Sequence, residues 1–210
     1  MKAEVLEALK HATSTLAREF NGIFSEETVR DFVQDSAEHY YHPEIASFVP
    51  KLAERHAREL LQALAQSEGF LPKQYPELLF VCVQNAGRSQ MAASFVNHWA
   101  EKRAHARCAG TQPARDLHAG VVEVMVEIGV PLHDAFPKPL QRELVEAANV
   151  VVTMGCGDAC PLVPGRVYED WALPDPAGMT LDQLRTVRDE VAARVRALLE
   201  RLGVAADEPR

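Results

Sequence analysis

In the stretch Leu78 to Ala92, LLFVCVQNAGRSQMA, a strand-like apolar run stops at Cys82, crosses a short loop and restarts as a helix near Arg88. A loop of this length, ending on a helix N-terminus, turns backbone N–H groups of Val83, Gln84, Asn85, Ala86, Gly87, Arg88 and Ser89 toward one centre. Such a concavity suits a tetrahedral oxyanion. Gly87 permits the close turn, and the planar guanidinium of Arg88 matches two oxygens of the anion at once. The same field acts on sulfur. Facing N–H donors, a helix dipole, a cation and the Ser89 hydroxyl, Cys82 is favoured as the thiolate, which is the nucleophilic form. A cysteine closing a buried strand can also be a plain small apolar residue; these neighbours point instead to attack on a bound anion.

Such an attack needs an acid to protonate the departing oxygen. The stretch EDWALPDPAG supplies Asp175, held between Pro174 and Pro176 on a stiffened backbone, with Asp170 as the competing carboxylate. Two further cysteines, Cys156 and Cys160, follow the buried strand NVVVTM, which places them at the same carboxyl edge of the sheet as Cys82. Cys108, inside ARCAGT, reads as a packed strand residue, and Trp99 and Trp171 as core or edge packing. The eight histidines are scattered and form no zinc pattern with Cys156 and Cys160, so no metal is expected.

The elements that must position these residues fall into two regions. From Met1 to about Phe70 only helical periodicity is present. Val5, Leu9, Ala12 and Leu16 share one face, and Val29, Phe32, Val33 and Tyr40 another. Ser25 is placed to cap the second helix and Pro50 to open a third, whose stripe is Ala53, Ala57, Leu60, Leu61 and Leu64. This predicts a three-helix bundle over residues 1–73, ended by the linker SEGFLPKQYPE. Residues 77–204 then alternate strand and helix. The strands are LLFVCV, ARCAGT, NVVVTMG and RVYEDW. Helices carry Ala92, Phe95, Val96 and Trp99; Leu117, Val121, Val124, Met125 and Ile128; a short one Leu140, Leu144, Val145 and Ala148; and a last one opened by a Thr180–Gln183 capping box and closed by Gly203. The alternation predicts an α/β domain, a four-stranded parallel sheet with helices on both faces, whose ligands lie beyond the carboxyl ends of the strands.

Composition bounds the partners. The chain has 210 residues and a formal charge of −8, and lacks a long basic run, which argues against duplex DNA or an acidic membrane surface. No apolar run reaches ~18 residues and the N-terminus carries acids where a secretory signal is apolar, so a cytoplasmic protein is expected. Four cysteines in a reducing compartment suit catalysis, redox exchange or metal binding better than structural disulfides.

CVQNAGRS followed by a distant DP resembles the low-molecular-weight tyrosine phosphatase fold. More narrowly, VVTMGCGDACP together with YEDWALPDPAG is similar to the arsenate reductases built on that scaffold, over roughly Leu78 to Gly203. The bundle resembles the helical extension of thioredoxin-coupled members. The resemblance implies that Cys82 attacks arsenate while Asp175 helps an oxygen leave, that Cys156 then attacks Cys82 to release arsenite, and that Cys160 resolves the Cys82–Cys156 disulfide. The resulting Cys156–Cys160 disulfide would be reduced by thioredoxin, with no bound cofactor. The short spacer Gly157, Asp158 and Ala159 is similar both to thioredoxin users and to members that use mycothiol with a mycoredoxin, so an arsenate–mycothiol transferase remains the alternative. A helical pair at this spacing meets the ~7 Å limit between bridged Cα atoms only marginally, so GCGDACP is expected to be mobile. Ala93 stands where some members carry a potassium-binding glutamate, which implies no dependence on that ion, and Ala177 stands where phosphatases carry aromatic residues, which disfavours a large aryl substrate. A tyrosine phosphatase would need only Cys82, Arg88 and Asp175. A DNA-reading role for the bundle is opposed by the acidic SEETVRDFVQDSAEH; an interface or stabilising role suits it better.

Overall fold

The computed structural model describes residues 3–42, 46–132 and 134–206, with the side chain of Asp158 left aside. Met1 and Lys2, at the start of the expected bundle, lie outside the described residues. The chain forms two compact units, Met1–Pro72 and Lys73–Arg210.

The first unit consists of α1 (Ala3–Glu19), α2 (Glu26–Tyr40) and α3 (Val49–Ser67). Ser25 caps α2 by accepting the Thr28 N–H at 3.0 Å, and Pro50 sits in the first turn of α3, where its missing N–H leaves no helical bond unmade. Ala12, Leu16 and Phe20 of the first helix and its exit pack on Val29, Val33, Ala57 and Leu61, one apolar stripe from each helix. His56, on the buried face of α3, is 1% exposed.

The second unit runs β1 (Glu77–Cys82), α4 (Arg88–Trp99), β2 (His105–Gly110), α5 (Ala119–Val126), α6 (Arg142–Ala147), β3 (Val150–Met154), β4 (Val167–Asp170) and α7 (Leu181–Arg201). The strands form one parallel sheet in the order β2-β1-β3-β4. Every residue of the inner strand β1 is buried, which is why its sequence from Leu78 to Cys82 is a continuous apolar run and does not alternate. Leu78, Phe80 and Cys82 face a core completed by α4, α5 and α7. The edge strand β4 alone is exposed at both ends. The capping box of α7 is formed in both directions between Thr180 and Gln183. Leu140 does not join the short helix expected around it. Pro139 bridges to Gly110 and the Leu140 N–H donates to the Gly110 carbonyl at 2.8 Å, so the backbone stays extended until Gln141 and α6 begins only at Arg142.

Because β1 and β3 share register from Leu78↔Val150 to Cys82↔Met154, and Cys82 also faces Gly110 of β2, the carboxyl ends of three strands arrive together. Phe80 fills the core beneath this edge, fully buried and 5.7 Å between ring centroids from Trp171. Phe80→Ala is expected to destabilise the second unit by about 3–5 kcal/mol. Since Trp99 and Trp171 both belong to this unit, tryptophan fluorescence during urea unfolding reads the loss directly.

Candidate active site

The loop between β1 and α4 is shaped by where its carbonyls go. Cys82, Val83, Gln84 and Ala86 each direct their C=O outward, accepting N–H groups of Thr111 (3.1 Å), Gln112 (2.8 Å), Ala114 (2.9 Å) and His118 (2.9 Å). The Asn85 carbonyl accepts from the Gln90 side chain at 3.0 Å. With the acceptors turned out, the donors line the inner side. The first bond of α4 runs from Met91 N–H to the Gly87 carbonyl, so the N–H groups of Arg88, Ser89 and Gln90 have no helical partner. Asn85 sits in the left-handed region at φ 48, which asparagine tolerates better than most residues. Gly110 backs the loop so closely that a Cβ there would lie 2.7 Å from the Val83 carbonyl oxygen and 2.9 Å from the Asn85 Cβ.

Cys82 Sγ accepts the Asn85 N–H at 3.2 Å and lies 3.0 Å from Ser89 Oγ. The direction of that second bond is decided further out. Gln90 Nε2 and the Lys138 N–H both donate to Asn85 Oδ1, at 3.0 and 2.9 Å, which turns Asn85 Nδ2 toward Ser89. Nδ2 then donates to Ser89 Oγ at 2.8 Å, leaving the serine hydrogen for the sulfur. The chain of donors ends on Cys82 and stabilises negative charge there.

Above the loop, Cys82, Gln84, Ala86, Gly87, Arg88 and Asp175 line one small cavity of about 20 Å³, together with His118, Pro176 and Ala177. Arg88 Nη2 donates to Asp175 Oδ2 at 2.9 Å and Nη1 to the Leu173 carbonyl at 3.0 Å. Its Nε is buried without a partner, a donor available to an anion in the loop. Asp175 is held by the Ala177 N–H on its other oxygen at 2.9 Å and keeps half of its side chain in solvent. Asp170 does not reach the cavity: its Oδ1 accepts the Thr153 hydroxyl at 2.6 Å across β3 and β4. Gln90, Gly110, Lys138 and the 111–118 segment were not among the candidate site residues read from the sequence, nor was His118, whose Nδ1 accepts the Val121 N–H and caps α5, so that Leu117, expected on that helix, lies before it. A signal for Gly110 was present, a glycine closing a strand that runs beside Cys82.

Cys156 stands just beyond β3, its Sγ 3.8 Å from the Val81 carbonyl next to Cys82. Gly155 before it has φ 75, and a Cβ there would approach Arg88 Nη1 to 3.1 Å, so glycine is needed both for the turn and for the guanidinium. Cys156 and Cys160 flank a 3-10 turn, Gly157–Ala159, and not an α-helical stretch; Cys160 is already extended at φ −87 and ψ 122. None of the four cysteines is joined in a disulfide. Burial pushes the Cys156 thiol up, with the negative charges of Cys82 and Asp170 adding to it. Burial, then Cys156, pushes Cys160 up to about 11.

An oxyanion loop joining a parallel strand to a helix, with a charge-stabilised cysteine at its floor and an arginine at its rim, defines a cysteine-dependent phosphatase-type scaffold. The chain belongs to the low molecular weight phosphotyrosine protein phosphatase family, matched over residues 77–207, and residues 9–65 match the N-terminal domain described as protein-tyrosine-phosphatase-like. It is 40% identical over 121 residues to a putative arsenate reductase of Halobacterium salinarum, covering 55% of this chain and 85% of that protein. A glutaredoxin arsenate reductase of Synechocystis is 31% identical over 129 residues, covering 60% of this chain and 98% of that protein. Among solved structures, a thioredoxin-dependent arsenate reductase of Corynebacterium glutamicum superposes with a TM-score of 0.82 at 37% identity, covering 94% of this chain and 97% of that one.

Gly110→Ala is expected to push the Val83–Asn85 backbone inward and to weaken phosphate binding, read by calorimetry, by about tenfold or more, since a donor moved off its anion loses over 1 kcal/mol. For Cys160, a thiol held near 11 is about one part in ten thousand ionised at pH 7, and that fraction grows about tenfold per pH unit up to that value. Iodoacetamide labelling of the reduced protein, followed by peptide mass spectrometry, should therefore find Cys160 labelled more slowly than a free thiol at pH 7 and still accelerating beyond pH 9. A plateau near pH 8.5 would contradict the burial.

Proposed function

We propose that the protein reduces arsenate to arsenite. The observation that carries this reading is the third thiol: Cys156 beside Cys82, and Cys160 beside Cys156, give the oxyanion loop two more sulfurs than a phosphatase needs. The arsenate reductases among its relatives support the same reading.

The anion enters by taking the place of Asp175 on Arg88 and meeting the inward N–H groups and Arg88 Nε. The Cys82 thiolate attacks arsenic, an As–O bond breaks, and the oxygen leaves as water with a proton carried by Asp175, now free of its ion pair. Cys156, held as the thiol chiefly by burial, must lose its proton before it can attack. Its thiolate attacks the Cys82 sulfur, an S–S bond forms, the S–As bond breaks, and its electron pair leaves on arsenic, which becomes arsenite. Cys160 then loses its proton, attacks Cys156 and frees Cys82 as a thiolate, leaving the Cys156–Cys160 disulfide. Burial of Cys160 makes its exposure a required part of that step.

Thioredoxin is the electron donor in this reading, supported by the likeness of the whole chain to a reductase named as thioredoxin-dependent. Asp175 is the acid and not Asp170, because only the former lines the cavity. With arsenate and no reductant, the Cys160→Ser protein is expected to release one equivalent of arsenite and stop as the Cys82–Cys156 disulfide, while Cys156→Ser releases none. A Cys156→Ser protein that instead turns over aryl phosphate as fast as the parent, in a chain that forms no arsenite, would make it a phosphatase.

A further inference from the structure

Helices α4 and α7 pack side by side, and where α7 faces the aromatic pair of α4 its side chain is small. Phe95 and Trp99, four residues apart, share one face of α4 and stack with ring centroids 4.5 Å apart. Asp189, Ala192 and Arg196 share the opposing face of α7, and the centre of that row has only a methyl group. Together with Val130 from the exit of α5, these residues line a cavity of about 210 Å³. Its floor is apolar, since Phe95, Trp99, Val130 and Ala192 are all buried. A space of this size and lining holds a single aromatic ring: an apolar cavity of about 150 Å³ stays free of water and takes up benzene. Two donors border it. The Arg196 guanidinium lies over Trp99 at 4.4 Å from the ring centroid, so with Phe95 stacked as well both faces of the indole are covered, and Trp99 meets anything further by its edge. That edge carries Nε1, which is buried and has no hydrogen-bond partner among the described residues. A guanidinium stacked by its face still directs its N–H groups outward in its own plane. The carboxylate at the mouth, Asp189, is already held by Arg188, whose Nε donates to its Oδ1 at 2.8 Å.

We propose that this cavity is a second ligand site, for a small aromatic carboxylate, with one ring among Phe95, Val130 and Ala192 and the carboxylate accepting from Arg196 and from Trp99 Nε1. Burial of the ring removes apolar surface from water, and the buried indole N–H gains the acceptor it lacks. The second carboxylate oxygen stays at the open mouth beside Arg196, so the ion pair is not desolvated in full. A short aliphatic acid leaves most of the space empty. An amine brings a further cation beside Arg196 and no acceptor for the indole, while Asp189 is committed to Arg188. The site is separate from the oxyanion loop. Arg88 opens α4 and Trp99 closes it, and at about 1.5 Å per residue the helix holds them about 16 Å apart, so a ligand here leaves Cys82 and Arg88 open to their own anion.

Benzoate is the probe, titrated into the full chain at neutral pH and followed by heteronuclear NMR. With two tryptophans the protein gives two indole N–H signals, and that of Trp99 is the one missing from Trp99→Phe. Benzoate should move this signal in a saturable way, with a Kd of about 1 mM or less, and saturating phosphate, added to occupy the oxyanion loop, should leave the shift unchanged. Arg196→Met, which keeps a long side chain but loses the charge-assisted bond, should weaken benzoate by about fivefold or more and change benzyl alcohol, an uncharged ring, by less than about twofold. Ala192→Met, which puts a side chain into the space, should abolish the shift; its thermal unfolding is measured alongside, and Arg196→Met, on the exposed rim, carries the test if the buried change unfolds the protein. The inference is overturned if benzoate leaves the Trp99 signal unmoved or moves it without saturation, if phosphate cancels the shift, which would make it an echo of binding at the loop, or if either folded variant binds benzoate as tightly as the parent. Benzylamine moving the signal as strongly as benzoate would overturn the carboxylate class.

Discussion

The site depends on a backbone constraint: every peptide group in the loop after Cys82 has a donor and an acceptor end, and only one can face the anion. Nothing in the loop's own residues decides which. The decision is made by Thr111, Gln112, Ala114 and His118, whose N–H groups draw the loop carbonyls outward. Once those acceptors are committed, the inner side is left with N–H groups, the start of α4 and the Arg88 guanidinium, a positively polarised concavity in a chain whose overall charge is −8. Local geometry overrides net charge here because the bonds act within a few ångströms, whereas the surface acids are distant and screened.

The three thiols differ because the same cradle reaches them unequally. Cys82 has the Asn85 N–H and an oriented Ser89 hydroxyl; Cys156 and Cys160 have burial, which favours the neutral thiol. The hydrogen-bond donors converge on one sulfur, the one at the floor of the loop. The other two are held as thiols by burial and by neighbouring charge. Gly155 and Gly157, both at positive φ, and a short 3-10 turn lie between Met154 and Cys160.

The Arg88–Asp175 pair joins the two halves of the chemistry. The same guanidinium that an anion requires is shared with the acid loop through Asp175 and Leu173, so the anion and the carboxylate compete for one cation. In the proposed mechanism, an anion that displaces Asp175 from Arg88 would bind and free the acid in one event.

Much of this was legible beforehand. The parallel sheet, the three-helix bundle and the Thr180 capping box follow from periodicity and from cap chemistry, which are local properties of contiguous residues. Cys82, Arg88 and Asp175 could be named because glycine, arginine, proline and cysteine have few structural reasons to occur together in that arrangement. The sequence also placed Cys156 at the right edge of the sheet, since it follows a buried strand parallel to β1. It did not show that Asp175 and not Asp170 lines the cavity, that Leu140 is held extended by Gly110, that Gln90 and Lys138 orient Asn85, or that the 111–118 segment turns the loop inside out. Each of those depends on hydrogen bonds between residues distant in the chain, and a donor or acceptor in a sequence carries no direction until the fold assigns its partner. Residue types and their spacing therefore determined what chemistry was possible; the tertiary structure decided which way each dipole points.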